Sequence, residues 1–475
     1  MKIYIPYSFM NEAKYVFDVI FKYWFDIQFQ IIACDIDKIV IEKNSKRMIF
    51  AVSFFKNVNE KWLKKISFLP NIGSFLDIEK IPNNLKNDSL KNIDRIKNMK
   101  IPILFFESNQ SLIKILNEEK DTNTIEFNID IFGTIFFFLS RYEEAILPDR
   151  DQHDRFPATA SIAFKEGFLN RPIVNEYVEL LWAMMKALWP ELERKKRSFR
   201  MILTHDVDEP FEFYKKPPIK MVKSIGGDIL KRHSINLALE RYRQWNAIRK
   251  GNHTTDPFYS FDFIMKESEK RGLKSAFYFI ADHTAGVIDG IYSLNDPEII
   301  NLMKTIDARC HEIGLHTSYN TYLDKVQTRK EAELLRAVMR GNSIHQEPQG
   351  GRQHYLRWKT PETFQNWEYA GMQYDSTLSF ADLPGFRCGT CWEYPAYDLI
   401  NRKPLNVIER PLIAMDRSVI AKRYMNKGYS EEAFEVFKSY KDTCRRYNGD
   451  FVLLWHNSEL ATEEQRRLYL SVLDS

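Results

Sequence analysis

In FRMILTHDVD, residues 199–208, the apolar run Met201-Ile202-Leu203 gives way at once to His205, Asp206 and Asp208. That is the pattern of a buried strand running into a polar turn. Read outward from it, the chain alternates. SFDFIMKESEKRG (260–272) has helical spacing and closes on Gly272, and KSAFYFIAD (274–282) reads as a strand. DPEIINLMKTIDARC (296–310) starts with an Asp cap and a proline at the first helical position, then leads into the short strand HEIGL (311–315). RKEAELLRAVMRG (329–341), TPETFQNWEYAG (360–371) and SEEAFEVFKSYKDTCRRYNG (430–449) are further helices. GRQHYLRW (351–358), LNVIER (405–410) and FVLLWHN (451–457) lie between or after them. Strand and helix in alternation predict an α/β fold, a parallel sheet with helices outside, and a barrel if the sheet closes.

The first ~195 residues read differently, as a smaller α+β or α/β domain. KIYIP (2–6) and IVIEKN (39–44) are short strands, and NEAKYVFDVIFKYWF (11–25) has helical spacing. IDIFGTIFFFLSRYEEAIL (129–147) predicts one dense buried helix ending near Pro148, and VNEYVELLWAMMKALWP (174–190) a second, stopped by Pro190. The charged segment ELERKKRS (191–198) marks the boundary, giving domains at 1–195 and 196–475. At 475 residues, two domains is the default expectation.

Composition excludes some functions. Sixty-eight basic against 64 acidic residues is too even for a general nucleic-acid binder. Five scattered cysteines predict a reducing compartment rather than a disulfide framework. The opening residues carry charges too often for a signal core, and no run of 18 uncharged apolar residues occurs, so the expectation is a cytoplasmic protein. Oligomeric state stays open.

The chemistry gathers where apolar strands end. Asp206 and Asp208 follow Leu203, His316 follows Leu315, and His456 follows Trp455. In parallel sheets closed as barrels, reactive groups sit at such carboxyl ends. Asp and His ligate divalent metals such as zinc. A metal makes water more acidic, a free carboxylate can take its proton, and a histidine can protonate a leaving amine. Either Asp206 or Asp208 could serve as the base. His311, at the start of its strand, reads as scaffold, and His316 as a ligand.

These motifs resemble the polysaccharide deacetylase (NodB-homology, carbohydrate esterase family 4) proteins over residues ~200–475. THDVD (204–208) is similar to the family's Thr-Phe-Asp-Asp with one residue inserted. CHEIGLHTSYN (310–320) follows its second motif through Thr317, then has Asn320 where the family has histidine. RQHY (352–355) and LWH (454–456) resemble the third and fifth motifs. The resemblance implies a distorted (β/α) barrel, a divalent metal and removal of an N- or O-acetyl group from a sugar. By position, Asp206 would be the base, Asp208 and His316 metal ligands, and His456 the general acid. Arg352 would hold the base, Leu454 would line an acetyl pocket, and a backbone N–H near Tyr355 would face the oxyanion. The third ligand is Asn320, His354 or water. IFFFLSRYEE (135–144), DRDQHDRF (149–156) and GFLNRPIVNEYV (167–178) resemble an uncharacterised domain found ahead of certain bacterial deacetylase-like modules, which are associated with surface-polysaccharide loci.

Three features admit two readings. GFRCGTC (385–391), with Arg387, Cys388 and Cys391, is either a substrate-facing loop or a structural one, and Asp375 in YDST either binds sugar or caps a turn. Residues 215–250 hold ten Lys/Arg against Asp228 and Glu240. They are either a solvated helical excursion or an attraction for a sugar-phosphate substrate or an anionic membrane surface. The expected substrate is an acetylated sugar, glycan or sugar-phosphate. The alternatives are a carbohydrate-binding protein that has lost hydrolysis and a metal-dependent amide hydrolase with a non-sugar substrate.

Overall fold

A computed structural model describes residues 1–58, 61–64, 74–77, 95–96, 99–107, 111–118, 121–230 and 233–475. The first six-stranded sheet contains β1 (Lys2–Pro6), β2 (Gln30–Cys34), β3 (Ile39–Lys43), β4 (Lys46–Phe50), β7 (Ile113–Glu118) and β8 (Asp121–Phe127), in the order β2-β1-β3-β4-β8-β7. A separate ribbon pairs β5 (Ser74–Asp77) with β6 (Lys100–Ile103). Ile3 and Ile5 of β1 point inward, two residues apart as a strand requires. The helix Ile131–Leu139 starts at Asp130, whose carboxylate accepts from the Gly133 and Phe54 N–H groups. Every residue of that helix is buried, so both its sides are covered by protein.

The single long helix expected to run toward Pro148 is broken. Arg141 takes a left-handed conformation (φ 56°), and a second short helix follows at Tyr142–Ile146. The break turns the Arg141 guanidinium inward, where it meets Glu144 at 2.8 Å. An apolar pattern shows that a segment is buried but does not locate such a kink.

The second sheet has nine strands: β9 (Arg200–Val207), β10 (Ser275–Ile280), β11 (Glu312–Thr317), β12 (Gly350–Gln353), β13 (Tyr374–Asp375), β14 (Tyr394–Asp398), β15 (Lys403–Glu409), β16 (Ala414–Met415) and β17 (Asp450–Leu454). Their order is β14-β15-β13-β12-β11-β10-β9-β17-β16. All pairs are parallel except β14 with β15. Going outward from β9, the strands follow chain order on one side as far as β13, after which come β15 and then β14, and β17 and β16 flank β9 on the other side. The sheet is a curled half-barrel whose edges are β14, added antiparallel, and β16. Among the described residues no ladder joins β14 to β16.

The sheet must curl. In a flat sheet, β12 would lie three strand spacings from β9, about 14 Å, yet side chains from their carboxyl ends meet. Glycines permit the close approach: a Cβ at Gly351 of β12 would collide with the Leu315 carbonyl of β11, and one at Gly314 would meet the Tyr278 ring at 2.6 Å.

The edge strand β14 faces the first half of the chain. Tyr15 donates to the Pro395 carbonyl (2.7 Å) and Trp24 to that of Glu393 (2.9 Å), while Phe136 packs edge-on against Tyr397 at 5.1 Å. One continuous apolar core runs through both halves. The segment 191–198 joins the helix Ile173–Leu188 to β9 without regular structure. Among the described residues, no helix is long and apolar enough to cross a membrane.

A candidate metal centre at the strand ends

Alternation along β9 puts Thr204, Asp206 and Asp208 on one side of the sheet and His205 and Val207 on the other. His205 is structural. Its ring stacks on Phe277 and contacts the Trp455 carbonyl at 2.6 Å and the Ser275 hydroxyl at 3.1 Å, and burial pulls its pKa down to about 4. His311 is also remote from the strand ends, where its Nδ1 accepts from the Ser275 N–H.

Asp206 is held by Arg352, a fully buried guanidinium on β12. Nη1 donates to Asp206 Oδ1 at 2.7 Å, Nη2 to Thr204 Oγ1 and Ser376 Oγ, and Nε to the Ser376 carbonyl. The arrangement leaves Asp206 Oδ2 pointing at His316 Nε2, 3.7 Å away.

Three imidazoles converge on Asp208. His316 Nε2 lies 3.3 Å and His354 Nε2 3.6 Å from Oδ1, and His456 Nε2 lies 3.5 Å from Oδ2. Each ring's other nitrogen faces an acceptor: His316 Nδ1 the Arg352 carbonyl at 2.8 Å, His354 Nδ1 Asp289 at 2.8 Å, and His456 Nδ1 Asp416 at 2.8 Å. A ring that donates from Nδ1 presents a lone pair at Nε2 when neutral. Two such lone pairs therefore face a carboxylate oxygen that is buried and, among the described residues, has no hydrogen-bond partner. Without a cation and with the rings protonated instead, burial disfavours the charge on Asp208 but the positive charge of His316, His354 and His456 outweighs it and holds the carboxyl far below the usual range. The ligand atoms of Asp208, His316 and His354 all lie within 4.8 Å of one another. One carboxylate and two imidazoles with their outer nitrogens engaged is a donor set that suits zinc or a similar divalent ion.

The cluster sits in a small cavity of about 40 Å³ whose wall includes Tyr355, Met415, Leu454, Arg155 and Arg417. Tyr355 and Leu356 both take left-handed backbone conformations (φ 60° and 55°), a strained pair at the rim. A larger cavity of about 640 Å³ shares Asp208, His354, Tyr355 and Arg417 with it and runs out past Lys215 and Ile288.

Three residues expected at the site lie elsewhere. Asn320 is exposed; its amide donates to the Thr284 carbonyl and its oxygen accepts from Arg357, so both ends are engaged away from the cluster. Arg387 is buried against Glu144 (2.6 Å) because the loop 385–391 packs on the first half of the chain, where the Gly389 carbonyl also accepts from Val174. Cys388 and Cys391 are buried in the same place. Asp375 is fully buried, bonded to Thr377 and set beside Glu409 of the paired strand.

Several neighbours were not singled out from the sequence. Asp289, the partner of His354, comes from the irregular turn Gly286–Asp289. Asp416 follows β16 and could have been found by the same strand-end rule as Asp206. Arg155 belongs to the first half, yet its guanidinium donates to the Tyr355 carbonyl (2.9 Å), and His153 packs its ring 4.8 Å from that of Tyr355.

Comparison with known proteins gives one family match and several similar solved structures. Residues 1–190 match a family of unknown function (DUF7033). No curated protein matches the chain. Among solved structures, the chain is similar to a protein from Mycobacterium smegmatis assigned as a polysaccharide deacetylase, at 14% identity and a TM-score of 0.36, over 59% of this chain and 84% of that one. It is similar to the allantoinase Puue at 13% identity and a TM-score of 0.35, over 60% and 85%. A third, assigned as a polysaccharide deacetylase from Pseudomonas aeruginosa PAO1, has 18% identity and a TM-score of 0.29, over 46% and 69%.

Proposed function

We propose that the chain is a metal-dependent hydrolase that removes an acetyl group from an N- or O-acetylated sugar, with Asp208, His316 and His354 holding the cation. The observation that carries the metal is the buried Asp208 Oδ1, which has no hydrogen-bond partner among the described residues and faces two imidazole Nε2 atoms. The sugar is carried by the motif resemblance in THDVD, CHEIGLHTS, RQHY and LWH. The resemblance of the first half extends the proposal to bacterial surface-polysaccharide assembly.

A divalent cation at this place supplies Lewis acidity, sharpening water as an acid and polarising a carbonyl. Asp206 takes the water's proton at Oδ2, since Arg352 occupies Oδ1. His456 delivers a proton to the leaving nitrogen or oxygen from Nε2, while Asp416 accepts from Nδ1 and keeps the ring oriented. Leu454 and Met415 give the cavity an apolar wall that fits a methyl group. Asn320 has no part in this arrangement.

The test is metal content by mass spectrometry together with acetate release from a panel of acetylated sugars and sugar phosphates. The expected result is about one zinc per chain and release that Asp206→Asn and His456→Ala each lower by a factor of ~10²–10⁴. A purified chain without stoichiometric metal that zinc or cobalt cannot load would overturn the reading.

A further inference from the structure

The basic insertion folds as two helices, Pro218–Leu230 and Ile235–Arg249, and each carries more apolar surface than their packing uses. Their shared interior is small: Phe213, Met221 and Ile248, with Ile225 and Trp245 at its edge. A second apolar stripe faces solvent. On the first helix it is Ile219, Val222 and Ile229, and on the second Ile235, Leu239 and Tyr242, spaced by three, four or seven residues so that each set shares a face. Ile235 is 68% exposed and Leu230, at the end of the first helix, 76%. A nearby loop adds Val287 at 84%, with Ile288 and Ile291. More than half of the large apolar side chains exposed among the described residues fall within these two segments, so this is a patch and not scatter.

Charge identifies what covers it. Lys223 flanks the first stripe and Arg243 the second; with Arg249 and Lys250 they are exposed and, among the described residues, have no carboxylate within ion-pair distance. An apolar stripe bordered by cations matches the interface of a bilayer with anionic headgroups. A second copy of the chain would bring the same cations face to face, which disfavours self-association.

We propose that this helical hairpin and the loop 287–291 form a docking surface for an anionic lipid bilayer. The inference does not depend on the hydrolase reading. It gives the larger cavity an orientation, because Pro217, Val287, Ile288 and Ile291 line the outer end of the space that Asp208 and His354 line within. A docked chain therefore opens its cavity toward the membrane surface.

The test is flotation of the full chain with vesicles of equal parts phosphatidylcholine and phosphatidylglycerol, and with pure phosphatidylcholine. The chain is expected to float with the anionic vesicles at low salt, to be released by high salt, and to remain unbound with phosphatidylcholine. V222D/L239D and K223E/R243E, all exposed positions, are expected to lower the partition coefficient at least tenfold with an unchanged unfolding temperature. No flotation by the parent chain, flotation indifferent to lipid charge, or flotation of either variant equal to the parent's would overturn the proposal. So would a dimer, seen by ultracentrifugation, that V222D/L239D dissolves.

Discussion

His354 and Asn320 separate the ways in which the centre could be completed. His354 Nε2 stands 3.6 Å from Asp208 Oδ1, whereas the Asn320 amide is spent on Thr284 and Arg357. His354→Ala is therefore expected to lower bound zinc at least tenfold in equilibrium dialysis, the size of effect seen for ligand-shell changes. Asn320→Ala is expected to leave zinc binding unchanged in the same assay. A second residue-scale prediction concerns Asp375 and Glu409, opposite each other on β13 and β15 and both fully buried. Burial pushes Asp375 up to about 7 and, with Asp375 beside it, raises Glu409 well above the carboxylate range. A carboxyl raised in the folded state stabilises fully below its unfolded pKa, about 4, and its contribution is lost as pH rises through the folded value. Stability is thus expected to fall between pH 5 and pH 8, and Glu409→Gln to reduce that fall by about 1–3 kcal/mol in urea titrations. A fall of the same size in the variant would show that the pair does not carry it.

Elements explain what could be read from the sequence and what could not. Strand ends were legible because Asp206, His316 and His456 each interrupt an apolar run, and the sheet's parallel order followed from the alternation of elements. The partner of His354 was not. Asp289 lies in a short irregular turn, and no periodicity marks a residue whose importance arises only when β11 and β12 bring His354 to it. For Arg387 the glycines of 385–391 allowed a substrate-facing loop or a structural one, and the loop packs closely on the first half, with Gly389 against Val174, Ile173 and Phe138. The close approach of β11 and β12 makes a further prediction. Gly351→Ala forces its new Cβ into the Leu315 carbonyl, and neither strand has room to yield. The expected cost is about 1–3 kcal/mol, read from the urea midpoint. Zinc affinity should fall with it, because His316 and His354 are carried by those two strands. A stable variant with full zinc affinity would mean that the strands can separate without disturbing the site.

At the scale of the molecule, the halves share one core and a buried ionic group in which Glu144 serves both Arg141 and Arg387. Charge of this kind is costly to strand: breaking a buried pair costs ~3–5 kcal/mol. Residues 196–475 expressed alone are expected to aggregate, and the full chain to unfold in one transition when intrinsic tryptophan fluorescence and circular dichroism are followed together. Two separated transitions would contradict the shared core. The Arg155 contact to Tyr355 gives the first half a place at the rim of the cavity, so a replacement for that half would have to reproduce its loop 149–156 as well as its packing surface.

The wholly buried helix Ile131–Leu139 has a consequence during synthesis. Phe136 finds Tyr397 only after some 260 further residues have been made, since the two are 261 positions apart. At roughly 5–20 residues per second, this face of the helix waits on the order of tens of seconds for its cover. Phe17, Phe50, Phe54 and Phe55 cover part of the helix earlier, and the face toward Tyr397 is expected to stay open until the second sheet emerges.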